Sequence, residues 1–399
     1  MKVMVLNCGS SSVKGAILQM PEAEVLADFS VKNLGNQTSG LQINKAGERV
    51  YSEQEPFLDH EKGIRKLLEY LFSGAHKVLE KWELQAIGHR VVQGGEKYRD
   101  SAIVTPKVVE YLLSISDIAP LHNPNHVAGM KACEKLLPDI LQIAVFDNGY
   151  HKDLPRAAYT YGIPHEYSEN EGIRKYGFHG IAFRSMLAEA KKLLHEDLKD
   201  RKIILLMLGS GTTANAVING KSKEVSTGFT PLEGLIQSTR SGDVDPAVAT
   251  YLMRKKGMTH QEVDDLLNKK SGWYGMSAIS SDLKEITEAA ENGDERALCT
   301  IDAVSHRIKK YIGGYSAVLG GVDLLVFGGG VGENAPTVRE KICDNLSFLG
   351  IELDEDANRS GKSARRIGKR EARAQVLVVP VDEEKVIAGD VYAIVSQMR

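Results

Sequence analysis

Residues 3–18 read VMVLNCGSSSVKGAIL, two short apolar runs separated by a turn of glycine and serine. The runs Val3 to Leu6 and Val13 to Leu18 have the length and composition of strands, and the small polar residues between them are typical of a tight turn. Farther along the chain, residues 203–218 read IILLMLGSGTTANAVI and follow the same pattern. Four small residues of the first stretch fall opposite equivalents in the second: Gly9, Ser10, Ser12 and Ala16 opposite Gly209, Ser210, Thr212 and Ala216.

A second pair of stretches supports an internal repeat. Leu141 to Phe146 is an apolar run that ends at Asp147, and Val322 to Phe327 ends at a run of glycines. Each half of the chain therefore has an early hairpin with a polar turn and a later buried strand followed by a polar or glycine-rich loop. Duplication of one α/β unit is the simplest explanation.

Apolar residues with helical spacing lie between these strands. The spacing predicts helices over Ile64 to Leu84, Phe183 to Leu198 and Ala297 to Val318. The C-terminal region predicts a strand over Gln375 to Pro380 and a helix over Glu383 to Met398. Strands and helices mixed in this way favour sheets covered by helices, an α/β fold.

The composition favours a cytoplasmic protein that acts on small molecules. A chain of 399 residues is long enough for two domains. Its net charge of −3 gives no overall field to attract nucleic acid or an anionic membrane. The four cysteines are scattered without metal-ligand spacing, which favours reduced thiols. Because neither a signal-peptide pattern nor a long apolar run occurs, we expect no membrane contact and a cytoplasmic location.

Glycine-rich turns after strands can hold phosphate oxygens with backbone N–H groups. Residues 328–332 place four glycines directly after an apolar strand, which leaves room for a flat ligand such as a nucleotide. A loop packed closely against a helix would use glycine for the same steric reason, so that alternative stays open. The P-loop pattern is absent, as is the dinucleotide-binding pattern after the first strand, which disfavours both of those interpretations.

Charged residues beside small or turn-forming residues are candidates for catalysis. Arg90 and Arg240 could each bind a carboxylate or phosphate at two points, although an ordinary ion pair is equally compatible. Asp147 and Glu383 could bind Mg²⁺, which takes one or two protein carboxylates. The alternatives are a turn residue for Asp147 and a helix N-terminal acid for Glu383. His179 could donate a hydrogen bond to a phosphoryl group during transfer, or be structural.

In chain order, these stretches resemble the acetate kinase family over nearly the whole chain. Residues 7–14 are similar to the N-terminal signature of the family, and residues 177–180 to part of its second signature. Further family motifs are similar to residues 119–124, 228–234, 239–243 and 329–334.

The resemblance implies a duplicated ribonuclease H-like fold, that of the acetate and sugar kinase/actin superfamily, with ATP in a cleft between two domains. One domain would contain residues 1–150 plus the C-terminal helix 384–399. Residues 151–383 would form the second domain and carry the nucleotide site.

The resemblance also implies an activity and a set of site residues. The activity is reversible, ATP-dependent phosphorylation of a short-chain carboxylate, acetate first, to an acyl phosphate by direct in-line transfer. A homodimer with Mg²⁺ as cofactor, or Mn²⁺ in its place, is implied as well. The catalytic residues would be Asn7, Arg90, Asp147, His179 and Arg240, of which His179 and Arg240 stabilise the transition state. The acid would contact Arg90, Val92, Leu121, Phe178 and Pro231. ATP would contact Ser10, Ser12, Lys14, Met207, Gly209, Ser210, Gly211, Asp282, Leu283, Lys284, Gly330, Val331 and Asn334. Asn7 and Glu383 would serve the metal, with Asp147 helping to organise it.

Several residues depart from the family pattern. Met207 and Ser210 stand where the family has a histidine and an asparagine, and Phe183 stands where it has a histidine. Gln93 replaces another histidine, and Lys284 an arginine. Fewer hydrogen-bond donors would then face the phosphates. A propionate kinase, or a nucleotide-binding paralogue with weak or altered catalysis, therefore stays open beside the acetate kinase. Use of pyrophosphate is disfavoured because the glycine-rich loop is intact.

Overall fold

The structure is a computed structural model that describes residues 1–74, 77–120, 122–361 and 363–398. The chain divides into two compact units, the first formed by Met1–Tyr150 with the segment that starts at Asp382, and the second by His151–Val381. We predicted that Asp382 and Glu383 belong to the second domain, and the structure groups them with the first. The reason is a helix that begins at Glu383 and is capped by Asp382, whose side chain accepts a hydrogen bond from the Lys385 N–H at 3.0 Å.

The strands and helices are numbered in chain order. The strands are β1 (Lys2–Cys8), β2 (Ser12–Gln19), β3 (Glu24–Lys32), β4 (Gly40–Lys45), β5 (Glu48–Gln54), β6 (Leu84–Val91), β7 (Ala102–Ile103), β8 (Leu141–Phe146), β9 (Ile203–Leu208), β10 (Thr212–Ile218), β11 (Lys221–Val225), β12 (Leu324–Gly328), β13 (Arg365–Arg366) and β14 (Gln375–Val378). The helices are α1 (His60–Phe72), α2 (Pro106–Ser114), α3 (Asn123–Leu136), α4 (Arg156–Tyr159), α5 (His165–Asn170), α6 (Gly180–Leu194), α7 (Pro246–Lys256), α8 (His260–Lys269), α9 (Gly272–Ser277), α10 (Leu283–Glu291), α11 (Glu295–Leu319), α12 (Gly329–Asn334), α13 (Pro336–Cys343), α14 (Glu355–Arg359) and α15 (Glu383–Gln397).

The two sheets share one arrangement of their central strands. The order is β5-β4-β3-β2-β1-β6-β8-β7 in the first unit and β11-β10-β9-β12-β14-β13 in the second. In the first unit β1, β2 and β3 pair antiparallel, and β6 and β8 then continue the sheet parallel to β1. In the second unit β9, β10 and β11 pair antiparallel, and β12 and β14 continue parallel to β9. The repeat of β3-β2-β1-β6-β8 as β11-β10-β9-β12-β14 confirms the predicted duplicated α/β fold.

One of the two predicted sequence correspondences agrees with this topology. The hairpins β1–β2 and β9–β10 are equivalent, although Cys8 pairs with Val13 across the first turn and Leu208 with Thr212 across the second, so the second turn is one residue shorter. The other correspondence is wrong. β12 takes the position of β6, and β8 corresponds to β14. A buried apolar run with a polar end is common to parallel strands in general, so it does not identify a particular strand.

Each sheet is covered by helices of its own unit. α15 packs on β1 and β6 in the first unit, and α6 packs on β9 and β12 in the second, so these two helices hold equivalent positions. The core of the first unit includes Leu6, Ile17 and Leu67, and that of the second includes Leu206 and Phe327. Among the helices in the described part of the chain, none combines the length and the apolar character needed to cross a membrane.

The predicted helices agree with the structure in part. α11 contains the whole predicted range from Ala297 to Val318, and α6 covers most of its predicted range but ends at Leu194. The helix predicted over Ile64 to Leu84 is wrong beyond Phe72. α1 ends there because Ser73 is extended and Gly74 has a positive φ, and β6 already begins at Leu84.

Candidate active site

The first unit brings three predicted charged residues together at one end of its sheet. Arg90 lies near the end of β6 and Asp147 directly follows β8, so both lie at the carboxyl ends of neighbouring parallel strands. Arg90 Nε and Nη2 donate to Asp147 Oδ2 at 3.1 and 2.7 Å. Arg90 Nη1 lies 3.1 Å from Oε2 of Glu383, the first residue of α15. One guanidinium therefore bridges two carboxylates.

Burial and charge act in opposite directions on this cluster. The Asp147 side chain is 1% exposed and the Arg90 side chain 15%. Burial alone would lower the pKa of Arg90, but Asp147 and Glu383 more than offset this, so the pKa is raised and the guanidinium stays charged. Burial raises the pKa of Glu383 to about 7, against the opposing effect of Arg90. When both carboxylates are ionised, the three side chains carry one net negative charge.

The oxygen donors of this cluster fit Mg²⁺. That ion takes one or two protein carboxylates and keeps several waters. In the described residues, no group of three or more His, Cys, Asp or Glu side chains is arranged to hold a metal. The site that the first unit offers is therefore a two-carboxylate site, formed by Asp147 and Glu383, and the remaining ligands would be water and phosphate oxygens.

The predicted residues of the first hairpin lie on the strand next to this cluster. Leu6 of β1 is in register with His89 of β6, so Asn7 and Arg90 are the next residues on two adjacent parallel strands. Asn7 is in register with Lys14 on β2. The turn that contains Ser10 is closed by a hydrogen bond from the Gly9 N–H to the Ser12 carbonyl at 2.8 Å, and the side chains of Ser10 and Lys14 are exposed.

Two apolar residues of the first unit, Val92 and Leu121, were predicted to contact the acid. The structure describes Val92, and Leu121 lies outside the described residues. Val92 is buried, and its backbone N–H donates to His126 Nε2 at 3.3 Å. Burial holds the pKa of His126 well below its usual value, so the imidazole is neutral and can accept this hydrogen bond. The backbone that follows Arg90 is thereby fixed.

In the second unit, His179 lies against the glycine-rich turn between β9 and β10. It precedes α6 in a left-handed backbone conformation with φ +59°, and its Nδ1 lies 2.9 Å from the Thr213 hydroxyl oxygen. A Cβ at Gly211 would come within 2.8 Å of His179 Cε1 and 3.0 Å of Nε2, so only glycine permits this approach. Phe178 is buried, and its N–H donates to Thr227 Oγ1 at 2.9 Å.

Arg240 has no acidic partner among the residues that the structure describes. Its Nη1 donates to the amide oxygen of Gln237 at 3.3 Å. Burial lowers the pKa of Arg240, and no carboxylate offsets this effect. The second unit therefore holds a partly buried cation with no acidic partner in the described part of the chain, which is the arrangement expected of a group that binds an anionic ligand.

A cavity of about 800 Å³ in the second unit collects most of the predicted nucleotide residues. Its volume is in the range of small-molecule and cofactor sites. The predicted residues that line it are Gly209, Ser210, Asp282, Leu283, Lys284, Gly330, Val331 and Asn334. Met207 and Gly211 do not line it, but Met207 packs beside it, since a Cβ at Gly329 would lie 2.6 Å from its sulfur. Ser10, Ser12 and Lys14 form a separate set in the first unit.

Several lining residues of this cavity were missed from the sequence. Trp273 lies at its wall, and Thr287, Glu288 and Glu291 follow Lys284 along α10. Thr287, Glu288 and Glu291 follow Lys284 at i+3, i+4 and i+7, which places them on one helix face, so the helical pattern could have identified them. Thr213 and Gln237 were also missed. Thr213 contacts His179, which is distant in sequence, and Gln237 contacts Arg240 across a turn, so no sequence pattern pairs either of them with its partner.

Comparisons with known proteins agree over the full length. The acetokinase family model matches residues 2–389. An acetate kinase of Halothermothrix orenii is 44% identical and covers 99% of this chain and 100% of its own length. A crystal structure of Porphyromonas gingivalis acetate kinase superposes with a TM-score of 0.92 at 43% identity, covering 99% of both chains. A propionate kinase of Francisella tularensis gives a TM-score of 0.91 at 33% identity, covering 98% of both chains. With its duplicated sheets, the Arg90 cluster at the strand ends of the first unit and these full-length matches, the chain belongs to the acetokinase family.

Proposed function

We propose that the protein transfers the terminal phosphoryl group of ATP to the carboxylate of a short-chain acid, acetate first, and so makes an acyl phosphate in a reversible reaction. The observation that carries the proposal is Arg240, a partly buried cation without a carboxylate partner among the described residues, in a member of the acetokinase family. Such a group can neutralise the charge that phosphate and carboxylate oxygens bring to one place.

The chemistry needs little proton transfer. A carboxylate is already a nucleophile, so the residues have to position it in line with the phosphoryl group and offset negative charge. Arg240 and His179 stabilise the transferring phosphoryl group, and Asn7 and Arg90 bind the reacting oxygens. Mg²⁺, with Mn²⁺ as a substitute, supplies charge neutralisation on the phosphates when it is bound. Asp147 and Glu383 would hold the ion, with Asn7 close to the same strand ends.

The substrate pocket and the nucleotide site follow from the same assignment. By the family assignment, Val92 of the first unit and Phe178 and Pro231 of the second would contact the alkyl end of the acid. The cavity beside α10 would receive the adenosine part of ATP, and the turn around Ser210 would offer its backbone N–H groups to the phosphates. The carboxylates of Asp282, Glu288 and Glu291 at that cavity are suitable acceptors for ribose hydroxyl groups.

Acetate is preferred to propionate because the acetate kinases of Halothermothrix orenii and Porphyromonas gingivalis match at 44% and 43% identity, against 33% for the propionate kinase structure. The preference is modest, since one methylene in an apolar pocket is worth about 1–3 kcal/mol. The paralogue alternative loses one of its arguments, because Phe183 is fully buried in α6 and contacts the ring of His151 edge-on. That substitution changes the packing of the helix. Met207 and Ser210 remain as departures from the family pattern at the turn between β9 and β10, residues 209–211, which we call the phosphate turn.

We extend the proposal to a cytoplasmic homodimer. A cytoplasmic location suits an enzyme that uses ATP. All of α7 lies in the described part of the chain, and none of its side chains is buried, although Val248, Tyr251 and Met253 are apolar and exposed. A second copy of the chain is the partner that this helix face favours, because homodimers are the commonest oligomers. Light scattering on the purified protein tests the dimer, and a monomer at micromolar concentration would reject it.

The activity is tested by trapping the product with hydroxylamine. Purified protein is incubated with ATP and Mg²⁺ and with acetate, propionate or butyrate, and the hydroxamate is measured for each acid. We expect product with acetate above propionate and none after addition of EDTA. If none of the three acids gives product although ATP binding is measurable, the nucleotide-binding paralogue is favoured.

A further inference from the structure

Gln237 was not a predicted site residue, and it connects three parts of the second unit that the proposed reaction uses. Its side chain is buried, with 1% of the residue exposed. The amide nitrogen Nε2 donates to the Pro231 carbonyl at 2.6 Å. The amide oxygen Oε1 accepts from Arg240 Nη1 at 3.3 Å and from the Thr212 N–H at 3.4 Å. Pro231 belongs to the proposed acid pocket and Thr212 to the end of the phosphate turn.

These partners fix which way the amide faces. A carbonyl only accepts, so the atom beside Pro231 must be the nitrogen, and the oxygen then points towards Arg240 and Thr212. Both groups that reach the oxygen are donors, so the reverse orientation would leave three mismatched contacts. The short hydrogen bond to Pro231 anchors the amide. The two longer hydrogen bonds connect this anchored amide to Arg240 and to the Thr212 N–H at the end of the turn.

The backbone around Gln237 is equally constrained. The Gln237 N–H donates to the Arg240 carbonyl at 3.1 Å, and the Trp273 N–H donates to the Gln237 carbonyl at 2.9 Å. A Cβ at Gly272, where φ is +63°, would lie 2.1 Å from the Gln237 carbonyl oxygen. The Ser238 N–H donates to the Ser210 carbonyl at 3.1 Å, which ties this loop to the phosphate turn. Gln237 is therefore presented from a tight turn with little freedom to relax.

We propose that Gln237 is a positioning residue for phosphoryl transfer: its neutral amide orients Arg240 relative to the acid pocket and the phosphate turn without neutralising the guanidinium. This inference rests on the proposed function. A carboxylate at the same place would accept from Arg240 and Thr212, but it could not donate to the Pro231 carbonyl, and it would pair with Arg240 and compete with the anionic substrates. An amide orients the cation and leaves its charge for the ligand.

A double-mutant cycle tests this role. Four proteins are compared by the hydroxamate assay: wild type, Gln237→Leu, Arg240→Ala and the double variant. In Gln237→Leu we expect kcat/KM for the acid to fall by ~10- to 100-fold, the scale of a misplaced catalytic group. In the Arg240→Ala background the same change should cost less than about twofold, because residues that act as a unit are not additive. Independent, additive losses would overturn the proposal.

Two further variants separate positioning from folding. Gln142 is a buried glutamine of the first unit whose side-chain amide lies 2.7 Å from His89 Nε2, at the opposite end of β8 from Asp147. We expect Gln142→Leu to lower the melting temperature and leave kcat/KM unchanged. Gln237→Glu, which keeps shape and adds charge, should raise the KM for the acid; wild-type kinetics in this variant would overturn the proposal even if Gln237→Leu fails to fold. An inactive wild type would reject the proposed function, whereas an active wild type with an additive cycle would reject only the role of Gln237.

Discussion

Arg90 and Arg240 are two partly buried arginines, one in each unit, and their neighbours differ in charge. Arg90 is bound by two carboxylates, Asp147 and Glu383, at 2.7 and 3.1 Å. Arg240 is bound by the neutral amide of Gln237. Accordingly the pKa of Arg90 is raised by its acidic partners against the effect of burial, whereas burial alone lowers the pKa of Arg240.

The difference indicates two roles for one residue type. Arg90 is part of a cluster with excess negative charge, which can organise a cation and still contact an anion. Arg240 carries an uncompensated positive charge, whose natural partner is a ligand. We therefore expect Arg90 to be needed for stability and for activity, and Arg240 for activity alone.

Arg90→Ala should produce the largest combined effect. Asp147, with a side chain that is 1% exposed, would lose the guanidinium that offsets its charge. Breaking a buried pair in this way costs about 3–5 kcal/mol, and activity should be lost as well. Urea denaturation of wild type and variant measures the change in the free energy of unfolding. A change below about 1 kcal/mol, the range of an exposed ion pair, would contradict the comparison.

Arg240→Ala should separate activity from stability. We expect kcat to fall by about 10²- to 10³-fold, the loss typical of one group that stabilises a developing charge. The free energy of unfolding should change by no more than about 1 kcal/mol, since a single hydrogen bond to a neutral group is removed. The hydroxamate assay and a urea titration on the same preparation provide both values. Unchanged turnover would reject the assigned site.

The fold was predictable from the sequence where local pattern and topology agree. Residues 3–18 and 203–218 identify the two hairpins, because a strand, a small polar turn and a second strand are adjacent in sequence. The equivalence of β8 and β12 was wrong because strand order depends on pairing between distant segments. The helix predicted through Leu84 failed because Val78 and Leu79 continue the apolar spacing without continuing the helix.

For the site, the sequence motifs identified single residues and could not identify their partners. Arg90, Asp147 and Glu383 were each predicted, but their assembly into one cluster depends on the register of β6 with β8 and on the start of α15. Gln237 was missed because its contacts with Pro231, Arg240 and Thr212 arise from a folded loop. Nothing in the sequence distinguishes it from a polar surface residue.

Ser210→Asn should produce the smallest effect, and it tests whether the second unit is limited by its phosphate turn. Ser210 is exposed, lines the nucleotide cavity and is tied to the Arg240 loop through the Ser238 N–H. An asparagine adds an amide donor next to the phosphates, and one such neutral hydrogen bond is worth about 1 kcal/mol, or roughly fivefold in rate. We expect a rise of that size in kcat, with the KM for the acid unchanged because the acid pocket is not altered.

Ser11→Asn, in the exposed turn of the first unit, is the matched control. If kcat rises in both variants, an added amide is effective in either turn, and the difference between the two units does not extend to their turns. No rise in either would mean that the cation of Arg240, held by Gln237, already supplies the charge stabilisation that limits the rate.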